Sequence, residues 1–399
     1  MRRHCLPLVL IVLCIAFLSA AQTVAEAGDA QPAPLHTYLR QGVEKAFNLE
    51  TKSATSLFQK AVELDRGNPL GYAFLALNHL FSYEMSFDPQ ERARDQESLL
   101  QDVEETLGRG LKRIEKNPRD SQAYFAMALA KIVKIRWAIA RKRYVVIAQE
   151  SAHVWSYLEK AKAEDPQNYD IYFPLGLLHY HLDHLSAAAR LFSSLFITAA
   201  DRQKGLQELE IAAQKGDLLK ELAQAELSSV YTYFEEQPAR ALPITRELRE
   251  KFPHNYNFAF ALATILSELN RVAEAGVIAG EIEKGIQTGT PPFVPQLQPR
   301  CDHLLGKLLF NQAEYARAAE YFRKALTDTS SHNVRIRTSS LVRLGMIHDI
   351  RRERKQAEEF YTRALAVEGG EGIAQTEARK YLRAPYVPRP KPPAAAILP

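Results

Sequence analysis

At 399 residues, with 46% apolar and 25% charged side chains, the chain has the composition of a folded protein, which excludes wholesale disorder. Its net charge of +4 is small for that length, and Arg2 and Arg3, two of the surplus cations, sit at the extreme N-terminus. That balance lacks the concentrated basic face a nucleic-acid or anionic-membrane partner normally needs, so neither is expected.

Residues 1–27 read as a secretory signal and its cleavage region. Arg2 and Arg3 form a positive start, Leu6 to Ala20 an apolar run, and Ser19 with Ala21, or Ala25 with Ala27, the small-residue pattern at which a signal is cut. The run is shorter than the roughly 20 apolar residues that span a membrane, so no span is expected in the mature chain. The expected location is outside the cytoplasm, periplasmic or secreted, with an uncleaved N-terminal anchor as the lesser alternative. Residues 28–34 form a short linker. Cys5 and Cys14 leave with the signal, so Cys301 remains without an internal disulfide partner and is expected to be a buried packing residue.

From there the chain repeats itself. Ala54, Phe58 and Ala61 mark a helix that is followed by Leu64-Asp65 and Asn68-Pro69. Between Tyr72 and Tyr124 the spacing stretches, with an extra polar segment around Asp88 to Gln101, and the first helix of the unit at Tyr124 is expected to run on through Trp137 and Tyr144. Tyr172, Leu175, Gly176, Ala188 and Phe192 form a further unit, after which Asp201 to Lys215 reads as an additional helix. Asn117-Pro118, Asp165-Pro166 and Phe252-Pro253 mark turns between units, where proline stops one helix or starts the next. The clearest copies come last. Leu305-Gly306, Ala318, Phe322 and Ala325 match Leu344-Gly345, Ala357, Tyr361 and Ala364, with twelve, four and three residues between successive members after the glycine. A glycine-rich break (Gly369, Gly370, Gly372) precedes a short helix from Ile373 to Leu382. The Pro/Ala-rich residues 384–399 are expected to be extended and mobile.

This pattern resembles the tetratricopeptide-repeat (TPR) family, whose repeats carry Leu-Gly in a first helix and Ala, aromatic, Ala in a second, and the chain looks similar to exported bacterial members of it. The resemblance implies an all-α superhelical solenoid of antiparallel helix pairs, spanning residues 35–383, irregular at first and regular from about residue 299, with a C-terminal capping helix. Physically, a small residue lets the second helix approach the first, and no single pair can bury its apolar face alone, so pairs must stack.

The motifs of catalysis and cofactor binding are missing: there is no phosphate-binding glycine loop, no G-x-S-x-G, no H-E-x-x-H and no C-x-x-C. No catalytic residue, cofactor or resident metal is therefore assigned, and the chain is not read as an enzyme. The nearest thing to a metal site is His179, His181, Asp183 and His184, but helical spacing splits these over different faces, and a packing histidine beside solvated ones is the simpler account. Basic clusters at Arg141-Lys142-Arg143 and Arg351-Arg352-Glu353-Arg354-Lys355 read as solvated surface.

The resemblance places partner binding on the inner faces of the first helices. In the C-terminal units these carry Asn257, Thr264, Ser267, Glu268, Arg300, His303, Lys307, Asn311 and Asp349, a polar groove suited to a protein or peptide. In the N-terminal units the same phase gives Leu77, Leu80, Phe81, Leu129, Ile132, Val133, Leu177 and Tyr180. These are expected to be covered by the inserted segments, or else to bind a partner helix or an acyl chain. The expected function is an exported scaffold or adaptor that binds protein partners. A carrier of a hydrophobic small ligand is the alternative, and a metal-dependent hydrolase the least favoured. The proline-rich loop from Thr288 to Pro299 is a second candidate contact.

Overall fold

The computed structural model describes residues 34–388, apart from 141–143, 184–200, 329, 331–332 and 371. Among the described residues the regular structure is entirely helical, with seventeen α-helices and two short 3-10 turns. The chain opens with α1 (Pro34–Phe47) and α2 (Thr51–Leu64), then α3 (Pro69–Met85) and α4 (Pro89–Lys116), α5 (Ser121–Ala140) and α6 (Tyr144–Glu164), and α7 (Tyr172–Asp183) and α8 (Arg202–Lys215). It continues with α9 (Lys220–Tyr233) and α10 (Pro238–Lys251), α11 (Tyr256–Glu268) and α12 (Val272–Thr288), α13 (Gln298–Asn311) and α14 (Tyr315–Lys324), and α15 (Val334–Ile350) and α16 (Arg354–Leu365). It ends on α17 (Ile373–Arg383). Each pair packs as a hairpin, and successive hairpins stack into a solenoid. Residues 1–33, expected to hold the signal and most of the linker, and the tail from residue 389 lie outside the described residues.

Local chemistry sets the helix starts. Asn68 and Asp88 accept the N–H groups of Leu70 and Gln90 at 3.0 and 2.8 Å, and Pro69 and Pro89 follow them at the first helical position. Packing then joins the pairs. A Cβ on Gly306 would stand 2.8 Å from the Phe322 ring, and one on Gly345 would stand 2.5 Å from the Tyr361 ring. Both rings are completely buried, and each burial stabilises the stack by about 1.5–3 kcal/mol. Gly42 meets Phe58 in the same way, at 2.4 Å, with the same offsets to Ala54, Phe58 and Ala61. The first hairpin is thus a regular copy whose opening helix the sequence pattern left unmarked.

Three expectations about the irregular units change. The polar segment from Asp88 to Gln101 is no separate insertion; it is the first half of the long helix α4, and Leu99 and Val103 from that helix bury Leu80, Val133 and Trp137. Ser121 to Ala140 forms one helix, and Tyr144 belongs to the next, which packs against it. The helix from Asp201 to Lys215 is not an extra element but the partner of α7. A Cβ on Gly176 would lie 2.9 Å from the Gly205 carbonyl oxygen, and one on Gly205 would lie 2.5 Å from the Tyr180 nitrogen, so the two backbones touch where no side chain fits. Ala188 and Phe192, which the pattern had assigned to that role, lie outside the described residues.

The first hairpin also reaches across the superhelix. Glu221, at the start of α9, is almost wholly buried, and Arg40 from α1 and Lys251 from α10 both bind its carboxylate, each with a contact of 2.8 Å. Burial opposes ionisation there, but these two cations hold the Glu221 carboxyl below its ordinary pKa. Asn255 Nδ2 donates to the Phe47 carbonyl at 2.7 Å, His254 N–H donates to Asn48 Oδ1 at 3.1 Å, and the Phe47 and Phe252 rings pack 5.2 Å apart. At the end of α3, the Met85 sulfur accepts from Asn257 Nδ2 at 3.5 Å, and Phe87 packs with the cluster that contains Tyr256 and Phe260. One superhelical turn therefore closes on itself between α1 and α11.

Candidate ligand-binding groove

The nine residues assigned to the groove by repeat phase fall on α11, α13 and α15, and the structure joins most of them in pairs between neighbouring helices. Arg300 Nη1 donates to Asn257 Oδ1 at 2.6 Å, Lys307 Nζ lies 2.8 Å from Glu268 Oε1, and Asn311 Nδ2 donates to Ser267 Oγ at 2.8 Å. His303 Nδ1 is 2.8 Å from Ser340 Oγ on α15. Thr264 is half-buried on the same face of α11. Asp349 stands apart. It is buried at the end of α15, where it accepts from Tyr361 Oη and the Tyr386 N–H, each at 2.8 Å, and lies 3.0 Å from Arg354 Nη1. These ladders hold the first helices of successive hairpins in register.

Charge at the centre of the groove is not balanced. Lys307 is answered by Glu268, but neither Arg300 nor Arg343 pairs with a carboxylate among the described residues. The Arg300 guanidinium lies 4.2 Å over the Phe260 ring and 6.0 Å from Tyr256; that of Arg343 lies 5.5 Å over Phe310. Burial lowers the Arg300 pKa, the sign of a cation desolvated without an opposite charge. Burial, with Arg343, Lys307 and Arg300 close by, pushes His303 down to about 3, so its ring stays neutral at physiological pH. Three cations therefore converge on a neutral imidazole. Such a place attracts an anionic group and binds it through bidentate, charge-assisted hydrogen bonds.

Sequence phase missed Arg343, because it stands two residues before Gly345, the position that buried Leu304 takes before Gly306 and that the repeat reserves for core. It also missed the aromatic floor. Tyr233, half-exposed at the end of α9, lies 5.9 Å from Lys307 Nζ, and Phe260 sits beneath Arg300. An aromatic run in α11 was the available signal.

The remaining candidates separate. His179 is buried, 2.5 Å from Glu208 Oε2 and edge-on to Trp155, while His181 turns to Glu226 at 2.8 Å. His184 lies outside the described residues, and no cluster of three metal-ligating side chains occurs among those described. Burial pushes the Cys301 thiol up to about 12, as befits a packing residue. Residues 141–143 are not described; of the second basic cluster, Arg354 is taken up by Asp349 and by the Leu382 carbonyl at 2.8 Å. The apolar residues of the N-terminal phase are buried or half-buried between packed helices: Leu80 and Val133 against α4, Leu129 in the cluster with Phe74 and Leu158, Tyr180 against α8 and α9. A cleft of about 290 Å³ runs between α12 and the loop through Pro291, Pro292 and Phe293, with Tyr256 and Ala259 of α11 in its wall. No helix among the described residues is long and apolar enough to cross a membrane.

No protein-family model matches the chain, and no characterised protein matches it in sequence. Among solved structures, the human IFIT1 dimer with m7Gppp-AAAA is 13% identical over 89% of this chain and 84% of its own, with a TM-score of 0.45. A tetratricopeptide repeat protein from Parabacteroides merdae is 15% identical over 80% and 99%, with a TM-score of 0.31. Yeast Tom70 is 10% identical over 88% and 95%, with a TM-score of 0.28. The contact that recurs at Gly42–Phe58, Gly306–Phe322 and Gly345–Tyr361, inside stacked two-helix hairpins, gives this chain the fold of a helical-repeat solenoid, with the packing that the repeat pattern implied.

Proposed function

We propose that the chain is a non-catalytic scaffold that holds an extended acidic segment of a partner protein along α11, α13 and α15. One carboxylate sits between Arg300 and Arg343. The observation that carries this reading is the pair of half-buried guanidinium groups beside neutral His303, neither matched by a carboxylate among the described residues. Desolvating a cation without a partner costs free energy that folding alone does not return, and an incoming anion offsets it. The polar ladder around it offers further donors and acceptors for a peptide backbone. Arg2, Arg3 and the apolar run after them support a site of action outside the cytoplasm, in the assembly of an envelope or secreted complex.

The test is fluorescence anisotropy with three labelled probes: a decapeptide of alternating Glu and Gly, the same peptide with Gln for Glu, and a ten-nucleotide oligouridylate. The Glu peptide should bind at least tenfold more tightly than the Gln peptide. Equal binding of the two peptides would remove anion recognition from the reading. Tighter binding of the oligouridylate would replace the protein partner with a nucleic acid.

A further inference from the structure

Composition marks residues 384–399 as a free extension, yet the first part of it is docked. Beyond α17 the chain is extended, with Ala384 at φ −146° and ψ 134°, and it turns back over the last two hairpins. Tyr386 donates its backbone N–H to Asp349 Oδ2 at 2.8 Å. Its ring lies 6.1 Å from that of Phe310 and edge-on to Tyr381 at 5.3 Å. The residues beside it are exposed, Val387 at 74%. The strap is therefore seated through one aromatic side chain and its backbone amide, the way a groove grips an extended peptide.

The seat was built in advance. Phe310 and Asp349 stand at the same register, four residues beyond Gly306 and Gly345, on adjacent first helices. Tyr361 Oη and Arg354 fix the Asp349 carboxylate, and Arg354 Nη2 also holds the Leu382 carbonyl at 2.8 Å, aligning the end of α17. Phe310 faces Tyr386 on one hand and the Arg343 guanidinium on the other. The strap thus abuts Arg343, one of the two unmatched cations of the groove, across the Phe310 ring. Two ring contacts and a backbone hydrogen bond localise the segment, and a ligand that presents the same aromatic and amide groups competes for them while adding an anion for Arg343.

We propose that residues 384–388 are an internal ligand filling the C-terminal end of the groove. A partner segment that carries an aromatic residue next to its acidic group displaces Tyr386 from the Phe310–Asp349 slot. The part about the partner rests on the function proposed above; the slot itself does not.

The experiment uses the full chain with Tyr386→Ala beside the unaltered protein, and a fluorescein-labelled peptide of residues 383–391 as probe. The freed slot should take the peptide at least tenfold more tightly than the unaltered protein does, and the peptide with alanine for its tyrosine should lose that binding. Circular dichroism reports whether the variant keeps its helices. Hydrogen exchange on the unaltered chain gives a second reading: a large excess of the unlabelled peptide should speed exchange at the Tyr386 amide. Equal binding to both proteins, or unchanged exchange, overturns the internal ligand. Binding of this peptide without any binding of the Glu-Gly decapeptide supports the strap and overturns the acidic-groove reading alone.

Discussion

Replacing Arg300 by Met separates a binding role from a structural one. The substitution keeps a long apolar stem over Phe260 and removes the charge. It loses the 2.6 Å hydrogen bond to Asn257, worth about 0.5–1.5 kcal/mol, and the cation–π contact at 4.2 Å, worth about 0.5–2 kcal/mol. Against this, a guanidinium whose pKa is lowered by burial no longer has to be kept from water. The opposing effects are of similar size, so the unfolding free energy should change by no more than ~1 kcal/mol in either direction. Binding should behave differently, because a charge-assisted bond to a carboxylate is worth about 1.5–3 kcal/mol, or roughly 10- to 150-fold in Kd. The assay is urea unfolding followed by circular dichroism, run beside anisotropy with the Glu-Gly decapeptide. A variant destabilised by more than ~2 kcal/mol that binds the probe as before would refute the reasoning and make Arg300 a structural brace.

Other outcomes follow from the same geometry. Gly205→Ala should destabilise the chain by about 1–3 kcal/mol, because its Cβ would meet the α7 backbone at 2.5 Å, whereas Gly108→Ala, with nothing within 4 Å, should stabilise by about 0.5–1 kcal/mol; paired urea melts decide. His303 titrates near 3 when folded and near 6.5 when free, so the unfolded chain takes up a proton that the folded chain refuses as pH falls between those values. Stability should therefore decline across that window, by at most ~1.4 kcal/mol per pH unit from this group, and His303→Gln should flatten the decline in pH-dependent melts. Edman sequencing of the protein from its native host should find a start after Ala21 or Ala27; an intact Met1 would support the anchored alternative.

Much of the architecture was legible because the repeat is local. Gly306 to Phe322 and Gly345 to Tyr361 lie within single hairpins, where 3.6-residue periodicity and the need for a small residue at the closest approach dictate both composition and spacing. The same logic put Asn257, Arg300, His303 and Lys307 on one side of the stack, since first helices repeat their facing with the hairpin. It failed where the period stretched: α8 fits α7 at Gly176 and Gly205, a backbone contact with no side chain to leave a pattern.

What only the tertiary structure decided are the contacts between distant residues. The closure of α1 onto Glu221, Asn255 and His254 depends on the rotation accumulated over several hairpins, which no short window of sequence contains. Arg343 joins the groove from a register position that elsewhere belongs to the core. Asp349, assigned to the groove by phase, is instead taken up by Tyr361, Arg354 and the Tyr386 amide, because the chain beyond α17 returns to it. Local steric periodicity writes itself into composition; the meeting of surfaces separated by hundreds of residues is set by the sum of many small packing angles, and only the folded chain performs that sum.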